Sequence, residues 1–250
     1  MKFKIIKMDK IIVKSTLLSM AVSALLLTGT ANATQQQFSG INQVTFNNAE
    51  YNNAFAGNAF LISFKGKLFA LTVKHALMVA KTPSLTSVYL QDELKEWRIH
   101  PNKNSNSYVT LGKLLNADKT ELIDEKILLK DWLVFEVKDN NSNLAILELR
   151  DTPLEVGELL TAYGCTYENQ EICSQDKYPG KFIEAEKHYL RVAPSEDVSL
   201  PGLSGSPVLD EHNKLVGIFS TIRESKSVFG FDYTHASLNY LREILNKLPK

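Results

Sequence analysis

A serine stands in a glycine-bearing loop in the last quarter of the chain. Residues 202–207 read Gly-Leu-Ser-Gly-Ser-Pro, and apolar, strand-like runs follow at 208–209 and 215–218. A serine hydroxyl is a weak nucleophile unless a base removes its proton and hydrogen-bond donors receive the oxyanion that forms. Glycine adopts positive φ without a steric penalty, so such a loop can turn backbone N–H groups toward one point. We therefore predict that Ser204 is a nucleophile on a loop that also supplies oxyanion donors.

A general base is predicted from one of the five histidines. Residues 59–64 and 68–73 are rich in aromatic and aliphatic side chains and flank the short turn 65–67 (Lys-Gly-Lys), a pattern typical of a β-hairpin. His75 follows the second strand directly, whereas the other histidines follow no comparable strand pattern. We therefore predict that His75 takes the proton of the nucleophile.

The base needs a carboxylate that holds one imidazole tautomer and stabilises the imidazolium. Asp131 opens the apolar run 132–135 (Trp-Leu-Val-Phe), which indicates an acid at the start of a buried strand. Asp124 is the alternative, because the apolar run 127–129 follows it. It lies in a charged cluster with Glu125 and Lys126, which favours exposure. We predict that Asp131 is the orienting residue.

Three segments together resemble the active-site motifs of trypsin-like (chymotrypsin-fold) serine proteases. They are residues 71–76 (Leu-Thr-Val-Lys-His-Ala), 131–134 (Asp-Trp-Leu-Val) and 202–207. Their order of His, Asp and Ser is that of the chymotrypsin group, not that of subtilisins or α/β-hydrolases. Residues 153–164 resemble the segment that enters the second barrel of bacterial members. The Gly-x-Ser-Gly-Ser-Pro form, with 213–218 (Asn-Lys-Leu-Val-Gly-Ile), is similar to that of secreted bacterial glutamyl endopeptidases.

The resemblance covers most of the chain after residue 50 and implies an all-β fold. That fold has two antiparallel six-stranded β-barrels, chymotrypsin-like, with the active site between them and a C-terminal α-helix. We place the first barrel in 34–140, the second in 141–235 and the helix in 236–250. Apolar residues recur at helical spacing within 237–248, which independently predicts an amphipathic helix.

The resemblance also implies a reaction. Ser204 attacks a peptide carbonyl, His75 takes its proton, and Asp131 fixes the tautomer of His75. The backbone N–H groups of Gly202 and Ser204 are the expected oxyanion donors, and the product of the attack is an acyl-enzyme. The expected substrate is therefore a protein or peptide.

Two residues depart from the family pattern. Leu133 stands where relatives usually carry a small alanine. Leu203 stands where trypsin itself has an acid that pairs with the N-terminus freed by zymogen cleavage. Leu203 offers no charge to an ammonium group, so we expect local packing of Leu203 to hold the oxyanion loop instead.

By the same resemblance, the base of the substrate pocket holds Val198. One wall comprises Phe219, Ser220 and Thr221, and the other includes Gly230. Val198 is not the acid that a trypsin-like pocket needs, and glutamyl endopeptidases usually carry a histidine at the position of Phe219. We expect an uncharged, small to medium apolar side chain in the pocket. The alternative is that Val198 and Phe219 are only core residues.

The first 33 residues are predicted to be a secretory signal peptide. Residues 1–14 are rich in lysine, 15–27 are mostly apolar, and Ala31-Asn32-Ala33 fits a cleavage site after Ala33. A membrane anchor is the alternative, but the apolar run is shorter than the roughly 20 residues that a spanning helix needs. We expect the protease domain, 34–250, to be exported to the periplasm or secreted, with no membrane attachment after cleavage.

Composition and cysteine content limit the other possibilities. The formal net charge is zero with both signs interspersed, so there is no electrostatic case for nucleic acid binding. Cys165 and Cys173 are close in sequence and are predicted to form a disulfide in an oxidising compartment. No metal-ligand spacing is present, so we predict neither a metal nor a cofactor. The alternative function is a catalytically silent pseudoprotease that binds peptides or a partner. An esterase is a third possibility.

Overall fold

A computed structural model describes residues 36–90 and 92–248; the predicted signal peptide and its cleavage site lie outside this part of the chain. The strands and the α-helix are β1 (Gly40–Phe46), β2 (Asn58–Phe64), β3 (Lys67–Thr72), β4 (Ser87–Val88), β5 (Leu94–His100), β6 (Val109–Leu114), β7 (Asp118–Leu122), β8 (Leu133–Asn140), β9 (Ile146–Leu147), β10 (Leu159–Gly164), β11 (Asp176–Ala185), β12 (Tyr189–Pro194), β13 (Pro207–Leu209), β14 (Leu215–Glu224), β15 (Phe231–Ser237) and α1 (Leu238–Asn246).

The first barrel is a closed antiparallel sheet of six strands in the order β1-β5-β6-β8-β3-β2, with β2 pairing back to β1. The ring closes where Gly40 lies opposite Ala59. Its interior includes the ring pair of Trp97 and Phe135, with centroids 5.1 Å apart. The short strand β9 adds to β2 in parallel, and β4 pairs with β7 in a separate ribbon.

The second barrel is also closed and antiparallel, in the order β10-β11-β12-β15-β14-β13. Its interior is filled by inward-facing apolar side chains such as Leu160, Phe182, Val192 and Val216. The two closed six-stranded barrels confirm the predicted fold class, and α1 confirms the predicted C-terminal helix.

The hairpin β2–β3 is apolar on both faces because both faces are buried. Successive side chains of a strand point to opposite sides of the sheet. Leu61 accordingly faces the interior of the first barrel, whereas Phe60 and Ile62 belong to a separate apolar cluster between the barrels. That cluster also contains Leu215 of β14 and Leu241 of α1. This shared core docks one barrel on the other and fixes the position of the cleft. Within the described residues, no helix is long and apolar enough to cross a membrane.

Candidate active site

His75 lies at the junction between the barrels, in a 3₁₀ turn (Lys74–Met78) that follows β3. Its Nδ1 is 2.6 Å from Oδ2 of Asp131, and its Nε2 is 2.7 Å from Oγ of Ser204. The backbone N–H of His75 donates to Oδ1 of Asp131 at 3.0 Å. One carboxylate therefore contacts both the ring and the backbone of His75, which fixes the orientation of the imidazole toward Ser204.

Asp131 is fully buried and comes directly before β8, after a 3₁₀ turn (Glu125–Lys130). Its carboxylate accepts hydrogen bonds from His75 and from the hydroxyl of Ser220 on β14 of the other barrel. A buried carboxylate is tolerated only when its oxygens are satisfied in this way. Asp124, the alternative orienting residue, lies at the other end of the same turn, where its Oδ1 accepts from Lys126 N–H at 2.8 Å.

Ser204 lies in a tight loop between two glycines with left-handed backbone, Gly202 at φ 96° and Gly205 at φ 87°. Such angles favour glycine strongly, which explains the residue choice at both positions. Within the loop, Leu203 N–H donates to Leu200 O at 2.9 Å. In the described part of the protein, the N–H groups of Gly202 and Ser204 donate to no protein acceptor. These are the two N–H groups predicted from the sequence as oxyanion donors.

The residues predicted to line the substrate pocket occupy different environments. Val198 is half-buried and packs against the core of the second barrel. Phe219 is buried in that core, with its ring 5.2 Å from the ring of His235. Thr221 is half-buried on β14, and Gly230 lies in the exposed turn before β15 with φ 79°.

Ser220, also predicted as a pocket wall, donates its hydroxyl hydrogen bond to Asp131. This contact of Ser220 was not predicted from the sequence. Ser220 lies far from Asp131 in sequence, on a strand of the other barrel, so no local pattern carries the signal. A polar residue directly after the apolar run 215–219 was the one available hint.

The disulfide between Cys165 and Cys173 closes a loop beside the nucleophile. The loop contacts the nucleophile loop directly, because Tyr167 N–H donates to Pro201 O at 2.9 Å. It also contacts the first barrel, where Asn102 Nδ2 donates to Cys173 O at 2.7 Å. The disulfide loop therefore contacts both the loop of Ser204 and the first barrel.

Burial strongly affects two titratable groups of the second barrel. The interior lowers the pKa of His235 to about 3, because the imidazolium would lose its hydration there. Burial likewise raises the pKa of Tyr233 to about 12. His235 is thus a neutral core residue. Among the described residues, no group of three His, Cys, Asp or Glu side chains could hold a metal ion.

The residue before His75 is a buried lysine, which was not predicted from the sequence as a functional residue. Lys74 has no exposed side-chain surface, and its ammonium lies 2.6 and 2.8 Å from the two carboxylate oxygens of Glu121. A buried ammonium needs such a partner. The pair therefore anchors the turn that carries His75.

Comparison with solved structures places this architecture in a known class. A Glu endopeptidase aligns at a TM-score of 0.55 with 15% identity, over 83% of this chain and 88% of that one. A serine endoprotease from Yersinia pestis aligns at 0.52 with 16% identity, over 83% of this chain and 63% of that one. No protein-family model and no curated protein matches the sequence. The chain has the trypsin-like serine protease fold.

Proposed function

We propose that this protein is an exported serine endopeptidase that hydrolyses peptide bonds through an acyl-enzyme. The observation that carries the proposal is the continuous hydrogen-bond chain from Asp131 through His75 to Ser204, with distances of 2.6 and 2.7 Å. A nucleophile within hydrogen-bond reach of a base, itself held by a third group, is the signature of covalent catalysis by serine.

The geometry supports a specific order of proton transfers. Ser204 Oγ attacks the scissile carbonyl carbon while its proton moves to Nε2 of His75. Asp131 stabilises the resulting imidazolium, and the N–H groups of Gly202 and Ser204 face the carbonyl oxygen as it becomes negative. His75 then returns the proton to the leaving amine. Water repeats the sequence to release the acid; each oxyanion donor typically lowers the barrier by about 3 kcal/mol.

The proposed substrate is a protein or peptide with an uncharged, small to medium apolar side chain before the scissile bond. Val198 supports this preference, because it offers no charge and packs on the barrel core. The two similar solved structures are a Glu endopeptidase and a serine endoprotease, which supports peptides as the substrate class. Export is supported by the disulfide, since such bonds persist in oxidising compartments.

A fluorophosphonate probe tests the proposal directly, because it phosphonylates only an activated serine. We expect the chain 34–250 to be labelled stoichiometrically at Ser204, as located by peptide mass mapping. The Ser204→Ala variant, which loses only the hydroxyl, is the control and should remain unlabelled. A peptide library digested with the unlabelled protein then defines the preferred side chain. A folded protein that neither reacts with the probe nor cleaves peptides would instead be a binding module.

A further inference from the structure

Asn58 is the first residue of β2 in the first barrel, yet its side chain serves the second barrel. It is fully buried, and its Nδ2 donates to Gly202 O at 2.8 Å and to Cys165 O at 2.9 Å. Its Oδ1 accepts from Cys165 N–H at 3.0 Å. The partners fix the amide orientation, because only the NH₂ group can face two carbonyl oxygens. A single side chain thus joins the nucleophile loop to the disulfide loop.

The backbone of Asn58 holds the same nucleophile loop at a second point. Asn58 N–H donates to Ser204 O at 2.7 Å. The carbonyl groups on either side of Leu203 are therefore both held by Asn58, one through its side chain and one through its main chain. The Gly202 carbonyl shares its rigid peptide plane with Leu203 N–H, and the Ser204 carbonyl shares its plane with Gly205 N–H. The two held planes therefore lie on either side of the plane that carries Ser204 N–H.

The surrounding backbone leaves room for this contact only because three neighbours are glycine. A Cβ on Gly164 would lie 2.9 Å from Cγ of Asn58. A Cβ on Gly205 would lie 2.0 Å from the carbonyl oxygen of Asn58. A Cβ on Gly57 would lie 2.6 Å from Ser204 O. The close approach of the barrels at this point thus depends on the glycines around Asn58.

Asn58 is itself fixed by a buried polar chain in the first barrel. Its carbonyl oxygen accepts from Asn42 Nδ2 at 2.7 Å and from Thr72 Oγ1 at 2.8 Å. Asn42 is held in turn by Trp97, whose Nε1 donates to Asn42 Oδ1 at 2.8 Å. Buried networks with every member satisfied are rigid. Asn58 is therefore held in place and can restrain the glycine-containing loop of Ser204.

We propose that Asn58 is a positioning residue for the oxyanion hole, which holds the Gly202 carbonyl so that the N–H groups of Gly202 and Ser204 face the reacting carbonyl. Gly202 lacks a Cβ that would restrict its backbone, so the loop needs an external hydrogen bond to keep one conformation. Asn58 touches no reacting atom and acts through the loop. This inference rests on the proposed function, because an oxyanion hole matters only to an acyl-transfer enzyme.

The test measures the second-order rate of Ser204 phosphonylation, a reaction that places a phosphoryl oxygen in the oxyanion hole and needs no knowledge of the peptide substrate. Asn58→Ala keeps the backbone bond to Ser204 and removes only the amide. Removing one oxyanion donor costs about 100- to 1,000-fold. We expect a mispositioned hole to slow phosphonylation of the folded variant by about 100-fold. The pH at half-maximal rate should stay unchanged, because His75 and Asp131 are untouched.

Asn102→Ala is the matched control. Asn102 also reaches from the first barrel to the disulfide loop, where it donates to Gln170 O and Cys173 O, but it does not contact Gly202. We expect this variant to melt at a lower temperature, as Asn58→Ala should, while its phosphonylation rate stays within threefold of wild type. If Asn58→Ala does not fold, Asn58→Ser provides the same rate measurement with the amide equally absent.

Three results would overturn the inference while leaving the proposed function intact. One is a wild-type rate in folded Asn58→Ala or Asn58→Ser. Another is an equal loss of rate in Asn102→Ala, and the third is a shifted pH midpoint, which would place the defect at His75. A wild-type protein that is not phosphonylated at Ser204 would overturn the proposed function, and this inference with it.

Discussion

The two barrels hold their shares of the site in different ways. In the first barrel, His75 and Asp131 lie on short turns next to strands and contact each other directly. In the second barrel, Ser204 lies on a glycine loop whose carbonyl groups are held by Asn58 of the first barrel. His75 and Asp131 thus contact each other within the first barrel, with one added hydrogen bond from Ser220 of the second, whereas the loop of Ser204 is held by a residue of the other barrel.

The two barrel interiors also differ in how fully their buried polar groups are hydrogen-bonded. The polar chain of the first barrel, from Trp97 through Asn42 to Asn58, has a partner at each step. In the second barrel, buried Oγ of Ser206 and Nδ1 of His235 have no hydrogen-bond partner among the described residues. An unsatisfied buried polar atom costs stability. The polar chain that ends at Asn58 is thus hydrogen-bonded at each step, whereas Ser206 and His235 each bury a polar atom without a hydrogen-bond partner among the described residues.

The largest expected effect comes from the nucleophile itself. Ser204→Ala should lower peptide hydrolysis by on the order of a million-fold with the fold retained, because the variant loses the attacking atom. Ser206→Ala is the matched control two residues away, and its buried hydroxyl has no partner among the described residues. We expect that variant to keep activity within a few-fold, measured on a fluorogenic peptide. Comparable losses in both variants would show that loop geometry, not the Ser204 hydroxyl, is being measured.

The next largest effect should come from the first barrel. Asp131→Asn keeps the shape of the side chain but favours the wrong tautomer of His75, so kcat should fall by about 10,000-fold. Asp124→Asn serves as the control, because the side chain of Asp124 accepts a hydrogen bond from Lys126 of its own turn and, within residues 36–90 and 92–248, none from His75. Its kcat should stay near wild type. A reversed result, with Asp124→Asn the more damaging change, would assign the orienting role to Asp124.

These two predictions rest on residues that the sequence could identify, because each belongs to a local pattern. His75 ends a strand, Asp131 opens one, and Ser204 sits among glycines. The two-barrel fold followed from the same motifs by resemblance. Local sequence patterns predict these residues because each candidate lies next to a strand or in a glycine loop that the sequence itself indicates.

The sequence could not identify the contacts that join the barrels. Asn58 and Gly202 are separated by 144 residues, and Asp131 and Ser220 by 89. No periodicity or composition reports such a pairing, since it arises only when the two closed barrels dock. Phe219 shows a second limit of the sequence. The alternation of side chains along β14 does not reveal that the ring of Phe219 packs beside His235 in the core.

The third prediction concerns the interior of the second barrel and acid stability. The pKa of His235 falls from its usual 6.5 to about 3 in the folded protein because burial excludes the imidazolium. Below pH 6.5 the unfolded chain therefore binds more protons at this site, and stability is lost progressively as the pH falls toward 3. Between pH 7 and pH 5 the loss from this group is about 2 kcal/mol.

Denaturant unfolding at both pH values, for wild type and His235→Leu, measures this contribution. Leucine cannot be protonated, so the variant should lose about 2 kcal/mol less than wild type over that interval. Other titrating groups act equally on both proteins and cancel in the difference. An identical pH dependence in both would mean that His235 titrates normally and that the interior is hydrated.

The smallest expected effect comes from extending the N-terminus, which we predict will leave catalysis unchanged. If Asn58 and the buried side chain of Leu203 hold the oxyanion loop, the loop needs no ammonium group. The early segment is instead anchored by a neutral side chain, since Gln175 Oε1 accepts from the N–H groups of Phe38 and Ser39. An ammonium buried beside Leu203 without an acid would cost several kcal/mol.

We therefore expect the chain that begins at Thr34 and the same chain with two extra residues before it to have equal kcat and KM within twofold. Asn58→Ala, made in both versions, sharpens the test, because it removes the support that replaces the ammonium group. Asn58→Ala should lower kcat by the same factor in both versions. An extended protein that is inactive until trimmed to Thr34 would show that a free N-terminus helps to hold the oxyanion loop. Asn58 of the first barrel would then not be sufficient support for that loop.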